Sequence, residues 1–165
     1  MGLSEDLVII AKQELRLKFP KFDEEVAWNI GCRLRDIAIA RSAPVVIDVR
    51  RFGQLLFFCA ITGSTPDNAE WARRKSNVVA RFHRSSYGLG LDLQEKNTTL
   101  ADRFGLALTE FAAHGGSFPV AIVGSGVIGS VAVSGLPQRA DHELVVEALC
   151  SELQCEYNEV RLPVE

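Results

Sequence analysis

The stretch Leu55-Leu56-Phe57-Phe58-Cys59-Ala60-Ile61 constrains this chain more than any other, with seven apolar residues in a row shortly after a turn signal, Phe52-Gly53. A run this short, rich in aromatic and branched residues, reads as a β-strand. Val45 to Arg51, on the other side of the turn, reads as its hairpin partner, so the second strand spans Gln54 to Ile61. Side chains alternate faces along a strand, and this one is therefore apolar above and below. Each face needs a cover, from the chain's own helices or from a second subunit.

Helical spacing supplies the candidate covers. Val8, Ala11, Leu15 and Phe19 follow Ser4, a candidate cap, and Pro20 ends that first helix. Asp23 caps a second helix that carries Ala27, Ile30, Leu34 and Ile37 on one side. After a loop from Thr62 to Pro66, Asp67 with Glu70 resembles a capping box, and Trp71, Val78 and Phe82 share a side of the third helix. Tyr87 to Gly105 reads as short helical pieces, and Gly115-Gly116 breaks the pattern. Val120–Val123 and Val127–Val133 form a second hairpin. Asp141 starts a last helix with Leu144, Val145, Ala148, Leu149 and Leu153 inward. Strands in adjacent pairs within an α-α-β-β-α-α-β-β-α order predict an antiparallel α+β fold rather than a doubly wound sheet. A length of 165 residues with 47% hydrophobic suits one domain over residues 1–165.

Charge and composition narrow the partners. Eighteen Lys+Arg against 21 Asp+Glu give −3, which argues against nucleic acid and against an acidic membrane surface. No apolar run reaches the ~18 residues of a membrane helix, and the acidic start lacks a signal peptide's features. Gly2 does not open a myristoylation motif, because Asp6 stands where Ser or Thr is needed. Cys32, Cys59, Cys150 and Cys155 show no C-x-x-C spacing and read as reduced, so a cytoplasmic location is expected.

Between Trp71 and Leu91 stand Arg73, Arg74, Lys75, Arg81 and Arg84 without one acidic residue. Asn77, Arg81 and Arg84 lie three or four apart and can project from one helical face, where guanidinium forks suit a carboxylate or phosphate. A small anionic ligand is the functional reading; a solvated basic face, or arginines paired with acids, is the plainer one. His114 precedes Gly115-Gly116, where bare backbone lets a ligand approach closely. His142 follows Asp141 at a helix start, where the dipole disfavours its charged form. Each histidine, His83 included, reads first as a surface or cap residue. None pairs with another at metal-ligand spacing, so no metal site is expected. Gly124-Ser125-Gly126-Val127-Ile128-Gly129 matches G-x-G-x-x-G, yet Ser130-Val131-Ala132-Val133 suits a strand and not the helix a dinucleotide site needs, so a hairpin turn is the better account. His114-Gly115-Gly116 has no G-x-S-x-G elbow to accompany it as an esterase would.

The run His114-Gly115-Gly116-Ser117-Phe118-Pro119-Val120, followed by Gly126-Val127-Ile128-Gly129 through Val133-Ser134-Gly135 and then Asp141, resembles the GlcG-like, haem-degrading HbpS-like superfamily. Val46-Ile47-Asp48-Val49-Arg50, Thr65-Pro66-Asp67-Asn68, Trp71 with Arg73-Arg74-Lys75, Asn77, Arg81-Phe82-His83 and Ser85-Ser86 look like one uncharacterised branch of bacterial and fungal cytosolic proteins. This resemblance spans residues 5–153. It implies a profilin-like or PAS-like α+β domain, with helices on an antiparallel sheet, assembling into dimers and larger closed homo-oligomers. The glycines, Pro119 and Asp141 correspond to the superfamily's turn and cap. Haem or cobalamin binding belongs to some secreted relatives, and no catalytic residue carries over.

The expectation is a cytosolic homo-oligomeric binding protein, not an enzyme, holding a small anionic or planar ligand beside a subunit contact. Asn77, Arg81 and Arg84 would grip the anion, and His83, Tyr87, His114, Gly115 and Gly116 would line the pocket. One alternative is an oligomeric adaptor whose basic face meets an acidic protein partner such as a chaperone factor. The other is a haem-degrading enzyme with His83, His114 or His142 as iron ligand and haem as cofactor.

Overall fold

In the computed structural model, which describes residues 2–164, Phe52 and Gly53 close the first hairpin with φ of 48° and 79°. Two successive positive φ values match the turn to the twist of the strands it joins. Those strands are β2 (Val46–Arg51) and β3 (Gln54–Ala60), paired antiparallel. The second hairpin joins β4 (Ser117–Ile122) to β5 (Gly126–Ser134), and β5 pairs with the free side of β2. A two-residue strand, β1 (Lys18–Phe19), runs parallel to β4 and completes the order β1-β4-β5-β2-β3. The helices are α1 (Leu3–Arg16), α2 (Glu24–Ala40), α3 (Pro66–Phe82), α4 (Ser86–Glu95), α5 (Leu100–Phe104) and α6 (Gln138–Glu152). The fold is thus the expected α+β domain, an open sheet flanked by helices and antiparallel except where β1 joins β4. None of the described helices is long and apolar enough to cross a membrane.

The two faces of the sheet differ in chemistry. Ile47, Val49, Phe118, Val120, Val131 and Val133 point one way and pack with Ala27, Ile30 and Leu34 of α2 and Val145 and Leu149 of α6. The other face holds Val46 and Ala132, which meet Ala72 of α3, among the buried polar residues Asp48, Ser117, Ser130 and Ser134. Small polar side chains let a helix approach closely, but their polar atoms need partners once water has left. Asp48 takes a two-pronged bond from Arg50 at 2.7 and 2.8 Å. Helix α3 answers this face by burying Lys75 and Ser76 rather than a stripe of leucines.

Strand β3 receives one cover. Phe57 packs on Gly31 of α2, edge-on to Trp28 at 5.4 Å, whereas Leu55 and Phe58 on the opposite face stay 48% and 46% exposed. The far edge of the sheet is guarded differently. Pro119 in β4 has no N–H to offer, and the Ser86 hydroxyl accepts from Ser117 N at 3.0 Å and donates to Ser117 O at 3.3 Å.

Several local expectations are corrected. Helix α1 stops at Arg16, and Phe19 belongs to β1. It turns Asp6, Ile10 and Gln13 inward, leaving Val8 and Leu15 71% and 70% exposed. Polar partners set that rotation: Asp6 accepts from Arg139, and Gln13 bonds Glu143 and His142. Ser4 lies inside α1 and donates to Glu95, with Gly2 at the N-cap. Helix α3 is capped reciprocally by Thr65 and Asn68, with Pro66 in its first turn, while Asp67 accepts from the Trp71 indole. Helix α6 begins at Gln138, so Asp141 is not its cap. The G-x-G-x-x-G match falls on the β4–β5 turn and the start of β5. All four cysteines are free, and Cys32 and Cys59 pack half-buried against the core.

Candidate ligand site at the Trp71–His114 junction

The basic face of α3 is a clamp. Arg73 donates to Glu110 at 2.9 Å and to the Thr109 carbonyl at 3.0 Å, and also pairs with Glu70. Arg74 reaches the Leu108 carbonyl at 3.1 Å, and its guanidinium lies 4.2 Å from the Trp71 ring centroid. Asn77 donates to the Glu110 carbonyl at 2.8 Å. These bonds fasten the segment between α5 and β4 along α3 and use up much of the charge counted in the sequence.

Where that segment turns into β4, the chain is pressed against a buried ion pair. Lys75 Nζ donates to Asp141 Oδ2 at 2.9 Å and to the Val133 carbonyl at 3.3 Å, and the two side chains are 4% and 1% exposed. Asp141 also accepts from Gly135 N at 3.3 Å and Leu136 N at 2.9 Å. Burial pushes the Lys75 amine down and the Asp141 carboxyl up, and their mutual attraction opposes both shifts. Gly116 backs onto the pair; a Cβ there would stand 2.8 Å from Lys75 Nζ.

His114 marks the rim. Its partly exposed ring meets Trp71 edge-on at 5.1 Å, and neither ring nitrogen is hydrogen-bonded among the described residues. Burial, then the charges of Lys75 and Arg74, lowers its pKa, which favours the neutral imidazole. Two cavities meet at this pair of rings. One, of about 250 Å³, is polar and bounded by Asn68, Lys75, Gln138 and Asp141. The other, of about 460 Å³, is walled by Leu93, Leu100, Leu108 and Phe111 beside Arg74.

The residues singled out in the sequence are not brought to one place. His83 ends α3 in a left-handed conformation, φ 56°, so Arg84 leaves the helix and reaches toward Gly88 O and Asp92 at 3.5 and 3.8 Å. Arg81 is exposed, 6.0 Å from the Phe82 ring centroid. The shared helical face expected of Asn77, Arg81 and Arg84 therefore does not form. Asn77 and His83 line a separate cavity of about 310 Å³ beside Arg50, Ser76 and Ser130. Tyr87 is buried with Ile10, Leu91 and Leu162, its ring 5.2 Å from His142. Gly115 is buried against the Gln138 carbonyl and Tyr87. Only His114 stands on the rim itself. Lys75, Asp141 and Trp71 are the site residues missed as such. A lysine three positions after buried Ala72 was the available signal, since that spacing turns its charge toward the sheet.

His142 is neither a cap nor a surface residue. It is 0% exposed, and its Nε2 lies 2.8 Å from Gln13 Oε1. Gln13 Nε2 donates to Glu143 and the Val160 carbonyl, so its oxygen accepts from His142 Nε2–H. Burial, reinforced by Arg139, pushes this imidazole down to about 3. The unfolded chain takes up that proton near pH 6.5, while the folded chain resists it until about pH 3. Stability is therefore present above pH 6.5 and is lost, as pH falls, at about 1.4 kcal/mol per unit. His142→Phe removes this titration while Asp141 and Glu143 still titrate in both chains. Between pH 6.5 and 5 its unfolding free energy, from urea denaturation, should fall by about 2 kcal/mol less than the parent's; parallel profiles would contradict a neutral buried imidazole.

Comparison with known proteins bears on the same fold. The family described as Haem degrading protein HbpS-like matches residues 22–150. A UPF0303 protein of Acidobacterium capsulatum is 56% identical over 163 residues, covering 99% of each chain. Among solved structures, that of Ybr137w protein superposes with a TM-score of 0.84 at 26% identity, over 92% of this chain and 94% of that one. A PduOC:Heme complex superposes with a TM-score of 0.68 at 14% identity, over 79% and 94%.

Proposed function

This chain belongs to the HbpS-like family of haem-degrading proteins, and from that premise we propose that it is a binding protein for a ligand with a flat apolar body and an anionic edge, haem being the compound to try. The observation that carries this reading is His114, an imidazole at the mouth of a largely apolar cavity of about 460 Å³ that has no hydrogen bond among the described residues and whose pKa burial lowers. That volume falls within the ~300–1,000 Å³ usual for small-molecule sites. Neutral imidazole is the form that coordinates iron. Arg74, stacked on Trp71, is the nearest cation for a carboxylate, because Lys75 is already matched by Asp141. The structural relative solved as a haem complex adds support at the level of fold. Haem, when held, supplies an iron centre; His114 would be its protein ligand, with Leu93, Leu100 and Phe111 excluding water from its ring.

The same proposal makes the protein a homo-oligomer in the cytosol. The outer edge of β3 carries no proline and no charge, the devices that keep strand edges apart. Its uncovered face, with Leu55 and Phe58, suits the same strand of a second copy running antiparallel.

Haemin titration tests the reading. One equivalent per chain should shift and sharpen the Soret band. His114→Ala should weaken binding by more than ~10-fold, since even groups that only orient a metal ligand are worth that much, whereas His83→Ala should bind as the parent does. Native mass spectrometry of the complex should report haem per chain and more than one chain per particle. An unshifted spectrum, or one indifferent to His114→Ala, overturns the ligand reading.

A further inference from the structure

The polar cavity contains a second chemistry that the haem reading does not use. Lys12, Lys18, Lys21 and Lys96 are exposed, and Lys75 alone among the lysines is buried. Two acceptors and its own Cε occupy three of the four directions around Lys75 Nζ, and the fourth has no partner among the described residues. Lys75 lines a cavity of about 250 Å³ together with Asn68, Gln138 and Asp141. Gly116, which does not line that cavity, packs its bare backbone against the nitrogen, since a Cβ there would stand 2.8 Å from Nζ. We propose that Lys75 is a reactive amine that captures small aldehydes or ketones as an imine, with Asp141 taking and returning its proton.

The surroundings favour each step. A lysine is a nucleophile only when deprotonated, and removal from water favours its neutral form. Burial lowers the Lys75 amine and raises the Asp141 carboxyl, so moving a proton across the 2.9 Å between them is easier than between a surface lysine and a free carboxylate. The proton passes to Asp141, and the nitrogen lone pair forms the C–N bond as the carbonyl π pair moves to oxygen. Asp141 returns the proton to that oxygen. It then accepts a second proton from nitrogen and donates it to the departing hydroxyl, which leaves as water while C=N forms. Amine and carbonyl compound give imine and water, no oxidant or reductant is consumed, and the protonated imine stays paired with the Asp141 carboxylate. A cavity just below the usual ~300 Å³ minimum admits a compound of a few carbons. The amide groups of Asn68 and Gln138 suit one that carries a hydroxyl or carboxyl group.

The test needs no knowledge of the natural compound. Wild-type protein is incubated at pH 7.5 with propanal, and separately with pyruvate, in the presence of cyanoborohydride, which fixes imines as secondary amines. Peptide mass spectrometry then follows each lysine; the α-amine, reactive near this pH in any chain, is scored separately. Lys75 should be modified at least ten-fold faster than each exposed lysine, and the advantage should shrink toward pH 10, where surface amines lose their protons. Asp141→Asn, if folded, should bring Lys75 down to the surface rate; if it is not folded, the wild-type rate ratio and its pH profile decide. Equal labelling of all lysines, or Lys75 labelled last at every pH, overturns the proposal. The readout contains no haem, so it stands or falls apart from the Soret titration.

Discussion

Asp141→Asn is expected to destabilise the protein by about 3–5 kcal/mol, because it leaves a buried ammonium without its counter-charge. In a domain of this size that lowers Tm by roughly 2–4 °C per kcal/mol. Lys75 would keep the Val133 carbonyl, at 3.3 Å, and at best a neutral amide oxygen in place of the carboxylate. The reverse change, Lys75→Met, should cost less, since the Asp141 carboxylate retains the amides of Gly135 and Leu136 at 3.3 and 2.9 Å. Combining the two should recover most of the loss, because replacing both members of a buried pair removes the desolvation cost along with the attraction. Urea denaturation of the four proteins measures this cycle. Simple additivity of the two single losses would show that the side chains do not act on each other, and the polar junction between α3, β5 and α6 would need another explanation.

The hairpins were legible because their signals are local. Phe52-Gly53 demands a tight turn, and the alternation of Val45 to Arg51 fixes which residues face the core. The fate of β3 was half legible: its doubly apolar sequence called for two covers, and α2 supplies one. Helix α1 turns a different face inward from the one its apolar spacing predicts, for a reason no local rule contains. Its buried Gln13 bonds His142, 129 positions away, and that polar pairing outweighs the apolar stripe of Val8 and Leu15. The basic segment failed in the same manner. Counting charge from Trp71 to Leu91 was correct, but the acid and carbonyls that absorb it, at Glu110, Thr109 and Leu108, lie more than 30 positions on. The spacing of Asn77, Arg81 and Arg84 assumed a continuous helix, and the left-handed turn at His83 ends it. Gly115-Gly116 is a place of close approach, as the paired glycines imply. What approaches is protein: the carbonyls of Gln138 and Val133 and the amine of Lys75.

That close approach makes Gly116 the least replaceable residue of the junction. Its φ is 135°, a conformation that L side chains rarely adopt, and an added Cβ would stand 2.3 Å from the Val133 carbonyl oxygen. Retreat is blocked, because the Gly116 carbonyl accepts from Val133 N at 2.8 Å and so anchors the entry to β4 on β5. Any shift would also press on Lys75 Nζ and the Asp141 Cβ. Gly116→Ala should therefore cost 3 kcal/mol or more, about 1–3 from the backbone conformation alone and the remainder from displaced neighbours. Gly124 provides the control. It too has positive φ, 75°, but nothing lies within 4 Å of its missing Cβ. Gly124→Ala should cost only about 1 kcal/mol. Thermal unfolding of the two variants separates conformation from crowding: a Gly116→Ala protein that melts within a degree of Gly124→Ala would mean that the junction yields easily, and that the packing of Lys75 and Asp141 does not depend on a bare backbone at position 116.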